Sequence, residues 1–144
     1  ALNYVVTGDP LASGDTLARS LSFTGTDAGT YLIGIGTVGI DPTVDATNYN
    51  VTYVSANMVI TKKTRTVSLS MPNTSNFRVG NSGTASSSTN GDGTGTWSAT
   101  GTCTVTSVGV ITGTSAGSCT ITVTYAATTN YTSASASSTF TVKP

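Results

Sequence analysis

The stretch GTCTVTSVGVITGTSAGSCTITVTY, residues 101–125, decides the fold because it places both cysteines of the chain among alternating apolar residues. From Cys119 to Tyr125 every second residue is apolar or aromatic. In a β-strand successive side chains point to opposite faces, so these residues would share one face. The pattern predicts a half-buried strand whose cysteine points into the core.

The two cysteines, Cys103 and Cys119, are separated by fifteen residues, and the chain contains no His. A structural zinc site needs about four Cys or His ligands, and a redox pair has C-x-x-C spacing. Each cysteine instead lies in a matching G-x-C-T-[VI]-T context, on strands that flank the VGVITG segment. A disulfide is the favoured interpretation, and it indicates an oxidising compartment. The alternative is a pair of buried free thiols in a reducing compartment.

The composition is unusually poor in charge. Six basic and six acidic side chains give a formal net charge of zero, and 8% of the residues are charged, against about a quarter in ordinary soluble domains. About a third of the residues are Ser or Thr. A neutral chain lacks the basic surface that binds nucleic acid or anionic lipid, and no apolar run reaches the roughly 18 residues that span a bilayer. We expect neither a nucleic-acid partner nor membrane insertion.

Short alternating segments separated by turn residues recur along the chain, and they predict an all-β fold of two tandem small domains. Residues 1–62 form the first, a mostly antiparallel β domain with at most one helical turn, near residues 13–19. Residues 67–144 form the second, a β-sandwich. Between them, KKTRT gathers half of the basic residues and predicts an exposed linker over residues 63–66.

Two further segments carry turn signals. Residues 55–57 separate two alternating runs and predict a hairpin turn. Residues 81–96 are rich in Gly, Ser, Thr and Asn without an apolar period, which predicts a long loop or a weak edge strand. This segment is also the candidate binding loop of the second domain.

The second domain resembles the bacterial Ig-like repeats of large surface proteins. Such repeats show C-T-V, then A-G-x-C-T-I, a downstream N-Y and a closing F-x-V. The matching positions are Cys103, Ala116–Gly117, Cys119–Ile121, Asn130–Tyr131 and Phe140–Val142. The resemblance covers most of residues 67–144. It implies an Ig-like β-sandwich with a Cys103–Cys119 disulfide, in an extracellular stalk or array.

The first domain resembles the MBG-type repeat domains found in tandem in bacterial adhesins, through LNYVVTG, SGDTLARSLSF, DAGTY and NYNVTYVSANMVITK. Asp27, Gly29 and Tyr31 of DAGTY also fit a tyrosine corner, in which the Tyr hydroxyl bonds back to nearby backbone. Members of the family usually carry a segment upstream of the strand matched by LNYVV. We therefore expect the first strand of this domain to be missing from the sequence or to be donated by another copy through β-addition.

No catalytic constellation is present in the sequence. Without His, the three lysines leave a Ser-Lys dyad as the option for an activated serine, and no S-x-x-K motif occurs. Asp9 with Asp15, and Asp41 with Asp45, have the spacing of a calcium loop, but Asp is also a preferred turn residue. We favour turns and expect no catalytic residues and no cofactor, with calcium as the alternative.

Trp97 and Tyr131 are the candidate binding residues, as a platform on which sugars stack, although packing in the core is the favoured role for both. These observations predict a non-catalytic stalk module of a bacterial surface adhesin or extracellular fibre, located on the cell surface or secreted. Its partners would be neighbouring repeat domains or copies of itself, and one form of the hypothesis is assembly by strand complementation. The alternative is a module that binds a glycan or a host surface protein.

Overall fold

The computed structural model describes residues 5, 7–8, 13, 17–18, 21–34, 39–40 and 52–144. The chain divides into two compact units, residues 1–61 and 62–144. All regular secondary structure within the described residues is β-strand, which confirms the all-β prediction. The aspartates proposed as calcium ligands (Asp9, Asp15, Asp41 and Asp45) lie outside the described residues.

The first unit contains four short strands in its described part: β1 (Leu17–Ala18), β2 (Gly29–Ile33), β3 (Gly39–Ile40) and β4 (Ala56–Ile60). β1 pairs antiparallel with β3, and β2 pairs antiparallel with β4. Leu17 and Ala18 are therefore extended rather than helical. The hairpin prediction at residues 55–57 is wrong, since Ala56 and Asn57 begin β4 and pair with the distant β2.

The second unit contains eight strands: β5 (Val67–Ser70), β6 (Ser82–Thr84), β7 (Ser86–Thr89), β8 (Gly95–Gly101), β9 (Cys103–Val105), β10 (Val110–Gly113), β11 (Gly117–Tyr125) and β12 (Ala134–Val142). They form two three-stranded sheets, in the orders β12-β11-β8 and β6-β10-β9, together with a β5-β7 pair. All strand pairings are antiparallel. The result is a sandwich-like arrangement in which β11 is the central strand of the longest sheet.

The core of this unit forms around β11, as its alternation predicts. Cys119, Ile121 and Val123 have no exposed surface, and Ile111 of β10 is equally buried. Phe77, Ala85, Cys103 and Val142 form one buried cluster with Cys119, Ile121 and Ile111. Burying an aliphatic side chain of this size stabilises a fold by about 2 kcal/mol, so these positions account for much of the folding energy.

The chain changes sheet between β8 and β9. Gly101 has a φ of 94°, a left-handed conformation that glycine adopts without a Cβ clash. The next residue, Thr102, donates its backbone N–H to the carbonyl of Ser118 at 3.0 Å. Cys103 then starts the second sheet, and its disulfide to Cys119 joins β9 to β11 with 5.6 Å between the Cα atoms. The disulfide therefore links the two three-stranded sheets.

The polar segment 81–96 contains β6 and β7 and the beginning of β8. β6 lies at the edge of its sheet, in agreement with the weak edge strand that the composition allows. The loop itself is short, because strand structure is interrupted only between β7 and β8 and at Ala85. Ala85, a single apolar residue within the polar segment, is 2% exposed and joins the core.

We expect the double substitution Cys103→Ala with Cys119→Ala to lower the free energy of unfolding of the second unit by about 3 kcal/mol, because it releases a closed loop in the unfolded chain. Urea denaturation of the full chain measures this loss. A reductant should shift the midpoint of the native chain towards that of the variant and leave the variant unchanged. Equal midpoints for the oxidised native chain and the variant would contradict the prediction.

Candidate functional site

A buried arginine lies at the start of the second unit. Arg65 is 3% exposed, whereas its neighbours Lys63, Thr64 and Thr66 are exposed. The prediction of an exposed linker over residues 63–66 therefore does not hold at Arg65, because this side chain enters the body of the unit. Its contacts define what we call the Arg65 cluster: Arg65, Asp92, Tyr125, Thr128, Tyr131 and Thr132.

The guanidinium donates to backbone carbonyls of two separate loops. Nε donates to the carbonyl of Thr132 at 2.9 Å and Nη1 to that of Asp92 at 2.6 Å. Nη2 donates to the carbonyl of Ala126 at 3.4 Å. Longer contacts reach the hydroxyls of Thr89 and Thr128. One side chain thus joins the loop after β7 to the loop between β11 and β12.

Two aromatic rings cover the same cation. The Arg65 Cζ atom lies 5.6 Å from the ring centroid of Tyr125 and 5.3 Å from that of Tyr131. The quadrupole of an aromatic face attracts a cation at this distance, most strongly where water is excluded. The Tyr131 ring packs in turn on Gly91, where a Cβ would come within 2.8 Å of ring carbons. The small residue at 91 therefore allows Tyr131 to lie against this loop.

The charge of Arg65 has one carboxylate partner among the described residues. Asp92 Oδ1 lies 3.6 Å from Arg65 Nη2, and the Asp92 side chain is 64% exposed. The same carboxylate accepts the hydroxyl of Thr128 at 2.7 Å. An ion pair with an exposed partner contributes little, in the range of 0–1 kcal/mol. The carbonyl acceptors and the two rings therefore supply most of the stabilisation of the buried cation.

Backbone hydrogen bonds fix the residues on either side of Arg65. Lys63 forms a parallel bridge with Tyr131, in which its N–H donates to Asn130 and its carbonyl accepts from Thr132. Asn90 donates its side-chain amide to the carbonyl of Thr64 and accepts the N–H of Thr66. The segment 62–66 is consequently held between the loop that follows β7 and the segment that leads into β12.

A second parallel pairing lies at the other end of β12. Lys143 donates its N–H to Phe77 at 2.8 Å and accepts the N–H of Val79 at 3.0 Å. The Lys143 ammonium also donates to the carbonyl of Ser75 and the side chain of Asn76. Segments 62–66 and 77–79 therefore pair in parallel with the residues that flank β12 at its two ends.

The outer face of the β12-β11-β8 sheet carries hydroxyl side chains at each outward position: Thr96, Ser98, Thr100, Ser118, Thr120, Thr122, Thr124, Ser135, Ser137, Thr139 and Thr141. Two cross-strand pairs bond to each other at 2.8 Å, Thr120 with Thr139 and Thr122 with Ser137. This hydroxyl face has neither charges nor large apolar groups. Its hydroxyl groups can bind water on this side of the sheet without ionised side chains.

The structure gives contacts for both sets of predicted structural residues. Cys103 and Cys119 are disulfide-bonded, and none of the described cysteines is free. The Tyr31 hydroxyl donates to the carbonyl of Asp27 at 2.8 Å, which is the contact of a tyrosine corner. The ring of Tyr31 lies against Gly29 and also against Gly25, a neighbour that the motif does not reveal.

The two candidate binding aromatics occupy separate packing sites. Trp97, on β8, packs against the buried core cluster and lies over Gly109. Tyr131 covers the guanidinium of Arg65 and packs on Gly91. Both rings are half-buried. Each therefore has a packing role in the structure.

Among the described residues, no three His, Cys, Asp or Glu side chains lie close enough to hold a metal ion. This part of the chain also lacks an apolar helix of membrane-spanning length.

Sequence reasoning missed the Arg65 cluster because its members lie far apart in the chain. The burial of a cation depends on partners up to 67 residues away, such as Thr132. One signal was present: Arg65 alternates with Val67 and Leu69, which places it on the inward face of a strand running into β5.

Comparison with known proteins identifies no relative. No protein-family model matches the chain, and no curated protein or solved structure matches it.

We expect Arg65→Met to lower the free energy of unfolding of the second unit by about 3 kcal/mol, because several carbonyls lose a charged donor. Arg65→Lys keeps the charge but not the planar array of donors. Its free energy of unfolding should therefore lie between those of Arg65→Met and the native chain. Asp92→Asn should cost less than about 1 kcal/mol, because the Asp92 carboxylate that pairs with Arg65 is largely exposed. Urea denaturation ranks the three; an Asp92 effect as large as that of Arg65→Met would show that the ion pair dominates.

We expect the stability of the second unit to change by less than about 1 kcal/mol when NaCl is raised from about 0.01 M to about 1 M. Salt screens interactions between exposed charges, and the described residues hold one ion pair and a hydroxyl face without charge. Thermal unfolding across this series measures the dependence. A large loss of stability at high salt would instead indicate that exposed charges contribute strongly.

Proposed function

We propose that the second unit is a non-catalytic spacer in an extracellular stalk or fibre, such as that of a bacterial surface adhesin. The observation that carries this proposal is the separation of its two ends. The chain enters the unit beside Tyr131, just before β12, and leaves it beyond Lys143, just after β12. A nine-residue strand is about 30 Å long, so the unit holds these two points apart by that length.

Two further features support a location outside the cell. The buried Cys103–Cys119 disulfide fits an oxidising compartment. The hydroxyl face replaces charged side chains as the hydrated surface, which suits a module whose surroundings vary in salt. The resemblance of residues 67–144 to bacterial Ig-like repeats and of residues 1–62 to MBG-type domains agrees with such an array.

The structure adds no observation in favour of the alternative, a module that binds a glycan or a host protein. Trp97 and Tyr131 both pack within the unit, and more than half of the polar segment 81–96 lies in strands β6, β7 and β8. Asp92, near the end of that segment, is engaged by Thr128 and Arg65. The spacer function is therefore the one that we propose.

The proposal predicts that proteins containing one, two and four tandem copies of the full chain increase in length linearly with copy number. X-ray scattering in solution gives the maximum dimension, and each copy should add at least about 30 Å, the length of β12. Arrays that collapse to a compact particle would contradict a spacer. Specific binding of the single chain to one glycan on a glycan array would favour the alternative function.

A further inference from the structure

The first segment of the second unit runs alongside its last strand in the same direction. Lys63 pairs in parallel with Tyr131 before β12, and Arg78 pairs in parallel with Lys143 after it. Lys63 and Arg78 therefore lie beside the two ends of β12. Because the chain enters at one end and leaves at the other, tension would pull these two parallel segments in opposite directions along their own axes.

This geometry determines how force acts on the contacts. Hydrogen bonds between two parallel segments lie across the direction of pull. All the bonds between the segments therefore bear the load at the same time when one segment is pulled past the other. A hairpin pulled from its open end would instead lose its bonds one at a time. The two parallel bridges consequently resist tension more strongly than their small number suggests.

Arg65 lies where the tension would first arrive, three residues into the unit. Its backbone N–H donates to the hydroxyl of Thr132 at 3.1 Å, and its Nε donates to the carbonyl of the same residue. The guanidinium is also fixed to Asp92 and lies beneath the Tyr131 ring. Sliding of residues 62–66 past residues 130–132 would require this buried cation to leave all its acceptors at once.

We propose that Arg65 is a force-bearing latch, which holds residues 62–66 against the segment before β12 when the chain is under tension. The inference rests on the spacer function, since a spacer between two attached objects transmits force. It also gives a role to a charge that is buried, although cations mostly lie at the surface. An apolar contact yields gradually during sliding, whereas a hydrogen-bonded cation holds its position until its bonds break together.

The disulfide supplies an internal marker for the unfolding of this unit. Cys103 and Cys119 are 16 positions apart in sequence, and the chain between them stays closed when the unit is stretched. Reduction should therefore lengthen the fully extended unit by about 50 Å, at roughly 3.4 Å per released residue. An unfolding event that shows this increase belongs to the second unit and not to the first.

The test is single-molecule force spectroscopy on the full chain, held between handle domains at its two ends. At a fixed force, Arg65→Met should raise the unfolding rate of the marked event at least about tenfold, because the latch contacts break before the barrier is crossed. Arg65→Lys should give an intermediate rate. If Arg65→Met does not fold, Arg65→Lys alone carries the comparison.

A matched control separates a latch from a merely stabilising contact. Ile111→Ala removes a fully buried side chain from β10, which contributes none of the acceptors of Arg65. It should destabilise the unit in urea at least as much as Arg65→Met while raising the forced unfolding rate less than about threefold, because its contacts persist until after the barrier. Equal effects of the two variants under force would overturn the latch.

These experiments can contradict the latch proposal without contradicting the spacer proposal. Tandem arrays that extend linearly, combined with equal forced unfolding of Arg65→Met and Ile111→Ala, would leave the spacer and remove the latch. Collapsed arrays would remove the spacer and, with it, the reason for tension on Arg65.

Discussion

A guanidinium that is removed from water must find partners for its charge and its five N–H donors, and this requirement organises one end of the second unit. The partners of Arg65 are mostly backbone carbonyls, which lie at fixed places only when their loops have fixed conformations. The loop after β7 and the loop before β12 must therefore adopt their structures together. The tyrosine rings then exclude water from the same space. Burial of one cation thus couples three segments that are distant in sequence.

The rest of the second unit contains few charged side chains, and this scarcity of charge is connected to the way in which Arg65 is bound. A sheet face made of Ser and Thr bonds to water and to its own neighbours, as Thr120 does with Thr139 and Thr122 with Ser137. Such a face needs no counter-charges and leaves β-branched Thr at positions that favour extended backbone. With so few other ionised groups nearby, the environment of Arg65 is determined by its own acceptors. The cation cannot easily exchange its partners for alternative carboxylates on the surface.

The sequence predicts those parts of the fold that depend on local periodicity. The alternation from Cys119 to Tyr125 predicts the central strand β11 and its inward cysteine, and both follow from side-chain direction alone. Contacts between distant residues were not predictable in this way. The turn expected at residues 55–57 became part of β4 because β2 offered a partner, and tertiary pairing outweighs local turn preference. The charge run at residues 62–66 predicts a linker because cations are mostly exposed, and only the loops around Arg65 reverse that preference.

The two ends of the second unit are built differently, and this difference indicates how force would travel. At the Lys143 end the backbone pairing lies beside the apolar side chains of Phe77 and Val142, which belong to the buried core, and the cation contacts there are those of an exposed ammonium and Arg78. At the Arg65 end a fully buried side chain adds contacts that water does not reach. Between them, β12 is bonded along its nine residues to β11, and the disulfide ties β11 to the second sheet. Tension held at Arg65 would therefore be passed to the longest strand pair and from there, through a covalent bond, to both sheets.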